Sequence, residues 1–175
     1  MSTGPMDAPG LSDAERARLE EIARLRIPEL EHDHVLDAIV REAAEATGAP
    51  IALATAVLDD AQFFLAGHGV GGWLAAARGT PRSWSFCTHA IQGTEPFVIH
   101  DATEMPEHAD NPLVRNDGVR AYTGIPLITG RGHAVGTLCV ADGAAGTLSE
   151  TQVAVLKELA SRVIARLEER VQDGS

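Results

Sequence analysis

Apolar residues recur at helical spacing near the start of this chain. Leu19, Ile22 and Leu25 continue one side of a helix that starts after Ser12. Ser12 and Glu15 form a capping box, in which the hydroxyl meets a free backbone N–H and the carboxylate reaches back. Pro28 ends or kinks this helix. A second helix is predicted from about His34 to Thr47, capped by Asp33, with Leu36, Ile39, Val40 and Ala43 as its stripe and Gly48 and Pro50 as its stop. The pattern then changes. IALATAVL (51–58) and QFFLAGH (62–68) are short apolar runs around the acidic pair Asp59-Asp60, which predicts an antiparallel hairpin buried on both faces. Strands are also predicted over FVIHD (97–101), VRAYTGIPLI (119–128) and AVGTLCVAD (134–142), the last two joined by the turn TGRGH. A last helix opens at Ser149, boxed with Gln152. Its Val153, Leu156, Ala160, Val163 and Leu167 step by 3, 4, 3 and 4, a heptad-like seam that Val155, Leu159 and Ile164 widen.

Between these elements lie segments without period. Residues 1–11 read as a disordered arm and 12–171 as a single domain. Residues 69–85, rich in Gly, Ala and Arg, read as a flexible or partly helical loop. Residues 102–117 read as a long polar loop with one or two helical turns, of the kind that is usually functional or mobile. The order helix, helix, hairpin, loop, strand, loop, hairpin, helix implies an α+β domain with an antiparallel sheet.

Composition narrows the function classes. The 175 residues carry 14 basic and 25 acidic side chains, a net charge of −11, which opposes docking on nucleic acid or anionic lipid. Hydrophobic residues make up 45%, enough for a real core. Two cysteines are too few for a disulfide framework, no apolar run is long enough for a membrane span, and the N-terminal region has no signal-peptide pattern. The expectation is a cytoplasmic protein.

Taken together and in order, SFCTHAI (85–91), HDA (100–102), DNPLV (110–114), YTGIPL (122–127) and GTLCV (136–140) resemble a GAF domain over roughly residues 34–168. The resemblance implies a six-stranded antiparallel sheet with the terminal helices on one face and a loop-covered small-molecule pocket on the other. It also implies a sensor or regulatory role and a homodimer formed through the terminal helices, which the seam on the last helix supports. About 8 residues follow the last helix, so an output domain is expected on a separate protein.

The candidate ligand-binding residues are Trp84, Phe86, Cys87, His89, Asp101, Asn111, Arg115, Arg120 and Tyr122, around a pocket beneath residues 84–91 and 100–122. Asn111, Arg115, Arg120 and Tyr122 offer hydrogen bonds to a polar or anionic ligand. Each also has a plain structural reading: Asn111-Pro112 as a turn or helix start, Arg115 as a solvated cation, Tyr122 as core, Trp84 as core edge. Cys87 and His89 stand two apart, which in a short helix turns them about 200° from each other and rules out joint ligation of one ion. The plain reading makes Cys87 a buried hydrophobe and Cys139, mid-strand beside Thr137 and Ala141, core packing. A Cys87–Cys139 disulfide needs Cα atoms roughly 4.4–6.8 Å apart, a distance the sequence does not supply. No zinc spacing, phosphate-cradling loop or serine elbow occurs, and no cofactor is specified; a haem site with one axial His leaves no motif. Some stand-alone proteins similar to GAF domains reduce free methionine sulfoxide, with cysteines on the loop near the pocket. Residues 102–118 here contain none. The expected function is non-catalytic sensing or regulation. The alternatives are an adaptor dimer with a vestigial pocket and a Cys87-dependent redox protein or methionine sulfoxide reductase.

Overall fold

The structure is a computed structural model that describes residues 12–27, 30, 33–59, 61–69, 79–81, 86, 90–105, 109, 111–115 and 118–174. The arm expected over residues 1–11 lies outside them. Helix α1 (Asp13–Arg24) starts as its cap requires, with Ser12 Oγ accepting from the Glu15 N–H at 3.0 Å. Helix α2 (His34–Thr47) opens on Asp33, whose Oδ1 accepts from the Val35 and Leu36 N–H groups. It closes on Gly48 at φ 71°, a left-handed conformation that glycine enters without steric cost.

Six strands follow: β1 (Ile51–Val57), β2 (Ala61–His68), β3 (Gly79–Pro81), β4 (Phe97–Ile99), β5 (Ala121–Ile128) and β6 (Ala134–Asp142). They form one antiparallel sheet in the order β3-β2-β1-β6-β5-β4, four long strands with a three-residue strand at each edge. The β1–β2 hairpin closes through Leu58 N–H to Ala61 O at 2.8 Å, and the β5–β6 hairpin through Thr129 N–H to His133 O at 3.0 Å. The short helix α3 (Pro112–Arg115) and the long α4 (Glu150–Gly174) complete the order.

Three boundaries differ from the sequence reading. Strand β3 lies within the stretch read as loop, because its Gly-Thr-Pro sequence has no apolar period and its proline suits only an edge. Strand β4 stops at Ile99, and Asp101 instead caps a 3₁₀ turn, Ala102–Glu104. Strand β5 starts at Ala121 rather than Val119.

The alternation along the central strands divides the core in two. On one side Ala52, Ala54, Leu65, Ile125, Leu127, Leu138 and Val140 pack against Ile22, Leu36, Ile39, Val40 and the inward face of α4. The heptad-like seam is spent here. Leu156, Val163 and Leu167 are fully buried, Ala160 nearly so, and Val153 packs against them from the edge. The seam read as a dimer surface is therefore part of the chain's own core. A stripe with this period fits a sheet as well as a partner helix.

Polar ties fasten α1 to this body. Arg18 is buried, with Nη1 donating to Val57 O at 2.6 Å and to Ala134 O at 3.4 Å, while Glu15 holds its other edge. It thus serves carbonyls at the end of β1 and the start of β6. Arg24 bridges Glu21 on its own helix to Glu168 on α4, and Arg166 of α4 reaches Asp33 at the start of α2.

Candidate functional site

The opposite face of the sheet carries a second, smaller cluster: Val57, Phe86, Ile99, Ala102, Val114, Tyr122 and Cys139, with Phe97 and Met105 at its margin. Tyr122 is its centre. Its ring lies 5.2 Å from Phe86 and 6.1 Å from Phe97, both in tilted or edge-on contact, the geometry aromatic quadrupoles favour. Gly124 makes this possible. It sits two residues along the same face, and a Cβ there would collide with the Tyr122 ring and Oη, so the missing side chain lets the tyrosine lie along the strand. Across the sheet, Thr55 and Thr137 are cross-strand partners, fully buried, with their hydroxyls 3.1 Å apart. This hydroxyl pair and Gln62, which is also buried, are the polar groups set into the β1, β2 and β6 part of the sheet.

At the end of β4 and the start of β5 stands a charged pair. Asp101 is buried and accepts from Thr103 N–H at 3.0 Å, from Thr103 Oγ1 at 2.6 Å, and from Arg120 Nε at 3.1 Å; its second oxygen accepts from Arg120 Nη2. The backbone fixes both partners. Ala102 N–H donates to Arg120 O, and Arg120 N–H donates to Asp142 O. The guanidinium of Arg120, then the Thr103 hydroxyl, hold the Asp101 carboxyl far below the usual carboxylate range, and Asp101 raises Arg120 in return. Arg120 is 43% exposed, and among the described residues its Nη1 has no hydrogen-bond partner. One edge of the guanidinium is committed to Asp101, and the other remains able to donate.

The structure therefore brings four of the nine sequence candidates, Phe86, Asp101, Arg120 and Tyr122, into one region. Asn111 caps α3, its carbonyl accepting from Val114 and Arg115, and Arg115 itself is exposed. Trp84, Cys87 and His89 lie outside the described residues. Sequence reasoning missed Phe97, Met105, Val114 and the Thr55–Thr137 pair as neighbours of the site. The register of FVI against YTG could have signalled Phe97, because it sets Phe97 opposite Gly124. The Thr pair needs the β1–β6 register, which joins residues 82 apart. Cys139 is buried on this face, flanked along β6 as expected by Thr137 and Ala141. Among the described residues no group of three His, Cys, Asp or Glu side chains could hold a metal ion, and no helix is long and apolar enough to cross a membrane.

The fold is an antiparallel sheet backed by helices on one face and carrying an aromatic cluster on the other. The GAF domain family model matches residues 31–167, and the chain belongs to that family of sensory and regulatory modules. It is 36% identical over 164 residues to a cyclic di-GMP phosphodiesterase of Pseudomonas aeruginosa, covering 93% of this chain and 27% of that protein. It thus spans about a quarter of the relative's length. Among solved structures it is similar to the GAF domain of a phosphoenolpyruvate-protein phosphotransferase from Coxiella burnetii, with TM-score 0.67 and 19% identity over 93% of this chain and 99% of that one. It is also similar to a free methionine-R-sulfoxide reductase from Neisseria meningitidis in complex with its substrate, with TM-score 0.64 and 20% identity over 94% and 95%. Both likenesses concern the fold.

Proposed function

We propose that the chain is a non-catalytic small-molecule sensing or regulatory module that signals to an output partner through its terminal helices. The observation that carries this reading is the juxtaposition on the loop-side face: the Phe86–Tyr122–Phe97 aromatic group beside an Arg120 whose Nη1 is uncommitted. A ligand with a flat apolar part and an anionic or carbonyl end suits that pair of features. Binding would draw on the 3₁₀ turn and α3, and strands β5 and β6 would carry the change to α4, which packs on their other face. The likeness to a cyclic di-GMP phosphodiesterase supports an output partner that turns over such a nucleotide. The enzymatic alternative, a Cys87-dependent reductase, draws support from fold likeness alone.

Thermal unfolding of the chain with cyclic di-GMP, other anionic nucleotides and free methionine-R-sulfoxide tests the reading. A ligand at about 100 times its Kd stabilises by about 2.7 kcal/mol. For a domain of this size that is several degrees in Tm. The expected result is a rise with at least one anionic compound that Arg120→Met abolishes, measured against the variant's own baseline. A rise that survives in the variant, no rise with any compound, or thiol-driven turnover of the sulfoxide that Cys87→Ser removes, contradicts the proposal.

A further inference from the structure

Arg120 reaches the loop-side face already half engaged. Asp101 Oδ1 accepts from its Nε at 3.1 Å and Oδ2 accepts from its Nη2, so one edge of the guanidinium meets a carboxylate in the two-point geometry. That carboxylate has no freedom to swing away. Its side chain is 3% exposed, and Oδ1 also accepts from Thr103 N–H and from the Thr103 hydroxyl. The backbones are tied as well: Ala102 N–H donates to Arg120 O at 2.6 Å, and Glu104 N–H donates to Asp101 O at 3.2 Å. The 3₁₀ turn Ala102–Glu104 and the approach to β5 thus hold the pair in one place.

Three observations bear on the charge that an occupant can bring to Arg120. The first is the partner itself. Asp101 is buried, so water and salt screen its charge poorly, and it answers the guanidinium charge in full. The second is Glu104. It stands exposed on the same turn and also acts on Arg120, which therefore lies in the field of two carboxylates; among the described residues no second cation acts on it. The third is the whole chain, whose net charge of −11 supplies no positive field from farther away. A lone arginine in water gains with every added charge on its anion. Here a second negative charge on the ligand would meet Asp101 and Glu104 instead. What Arg120 keeps is direction. Its remaining N–H groups lie on a side chain that is 43% exposed, aimed by Asp101, two residues along the chain from Tyr122.

We infer that Asp101 sets the specificity of the loop-side face: acting through Arg120, it restricts the group bound there to an uncharged or singly charged acceptor, namely a carbonyl, a carboxylate or a phosphodiester, and turns away a dianionic phosphate monoester. The inference rests on the loop-side reading and names the class of its ligand. Asp101 is a positioning residue in this account, because it touches the ligand only through Arg120. The preference has a consequence for signalling. A module so built responds to an intact phosphodiester and disregards the monoester that hydrolysis of it leaves.

The test is a titration of the whole chain with methyl phenyl phosphate and with phenyl phosphate at pH 8 and matched ionic strength. The two probes share a ring and a phosphorus group and differ by about one charge, since the monoester is then close to doubly ionised. Binding is read from the ring protons of Tyr122, the chain's one tyrosine. The expected result is saturable shifts with the diester, and a monoester that binds no more tightly. Asp101→Asn keeps an acceptor for Thr103 N–H and is expected to move the ratio of affinities toward the monoester by about threefold or more, the scale of one unit charge at a partly exposed site. A merely structural loss would weaken both probes alike and leave the ratio unmoved. Glu104→Gln, on an exposed side chain, should move the ratio the same way by a smaller factor, and it carries the test if Asp101→Asn does not fold. A parent chain that binds the monoester more tightly, or a ratio unchanged in Asp101→Asn (in Glu104→Gln if the former does not fold), overturns the inference and leaves the loop-side reading and its Arg120 test untouched. Tyr122 signals that neither probe moves overturn the inference together with that reading.

Discussion

Single residues in this chain are fixed by what stands next to them. Glu21 is nearly inaccessible, yet its carboxyl is lowered from 4.5 to about 2, chiefly by the Arg24 guanidinium, with Thr129 and Arg131 adding to it against the cost of burial. A carboxyl depressed in the folded state adds stability that is complete above its ordinary pKa and is lost as pH falls through the folded value. Glu21→Gln is therefore expected to lower stability at neutral pH by roughly 1–3 kcal/mol, the range for hydrogen bonds to charged groups. The gap from the parent should narrow between about pH 4.5 and about pH 2, read by urea unfolding at a series of pH values. A gap that stays constant across that window contradicts the assignment. Two glycines give a ranked pair. A Cβ at Gly136 would strike the backbone carbonyl of Thr55 on the neighbouring strand, whereas at Gly124 it would strike the Tyr122 side chain. Gly136→Ala should thus destabilise by about 3 kcal/mol or more, and Gly124→Ala by about 1–3, since a side chain can swing and a paired strand cannot. Only the second should also displace the Tyr122 ring, visible in its aromatic proton shifts. Equal costs, or an unmoved ring in Gly124→Ala, contradict the ranking.

At the scale of elements, the helices divide their work. Helix α4 supplies apolar surface, with Leu156, Leu159, Val163 and Leu167 buried in the main core. Helix α1 adds Ile22 and the flanking Leu19 to that core and is further tied by Arg18, Glu21 and Arg24, which answer strand ends and the flank of α4. Leu156→Ala should cost about 2–5 kcal/mol, the usual range for emptying a well-packed leucine site, and should leave the solution mass by light scattering unchanged. A mass that falls by half with Tm preserved would mean instead that the seam joins two copies. This contrast shows where the sequence was legible. Both helix starts, Ser12 and Asp33, were readable because caps are local, one side chain meeting a backbone two or three residues on. Strands β1, β2, β5 and β6 were readable from continuous apolar runs. The three-residue β3 was not, because an edge strand held by one neighbour needs no apolar face. The seam's period was legible, but the surface it meets was not, since a sheet and a second helix both accept such a stripe. Arg120 and Tyr122 were legible as candidates through resemblance and strand position, whereas the Asp101–Arg120 pairing and the aromatic contacts needed β4 and β5 to be set side by side.

On the whole molecule, the sheet separates two environments. One face is committed to the terminal helices, and the other gathers aromatic rings, a buried hydroxyl pair and a half-exposed arginine. Because β5 and β6 are shared by both faces, the proposed ligand-driven change on one face would pass through backbone that already contacts α4. That arrangement suits a module that converts occupancy into a movement of its terminal helix. The central claim is that a small molecule occupies the loop-side face at Tyr122 and Arg120. Native mass spectrometry tests it most directly, on the chain incubated with a small-molecule extract of bacterial cells and then exchanged into volatile buffer. The account predicts a discrete non-covalent adduct of metabolite mass, shed at higher collision energy, that Arg120→Met and Tyr122→Ala both lose while remaining folded. A parent chain that carries no adduct, or an adduct that both variants keep, would contradict it.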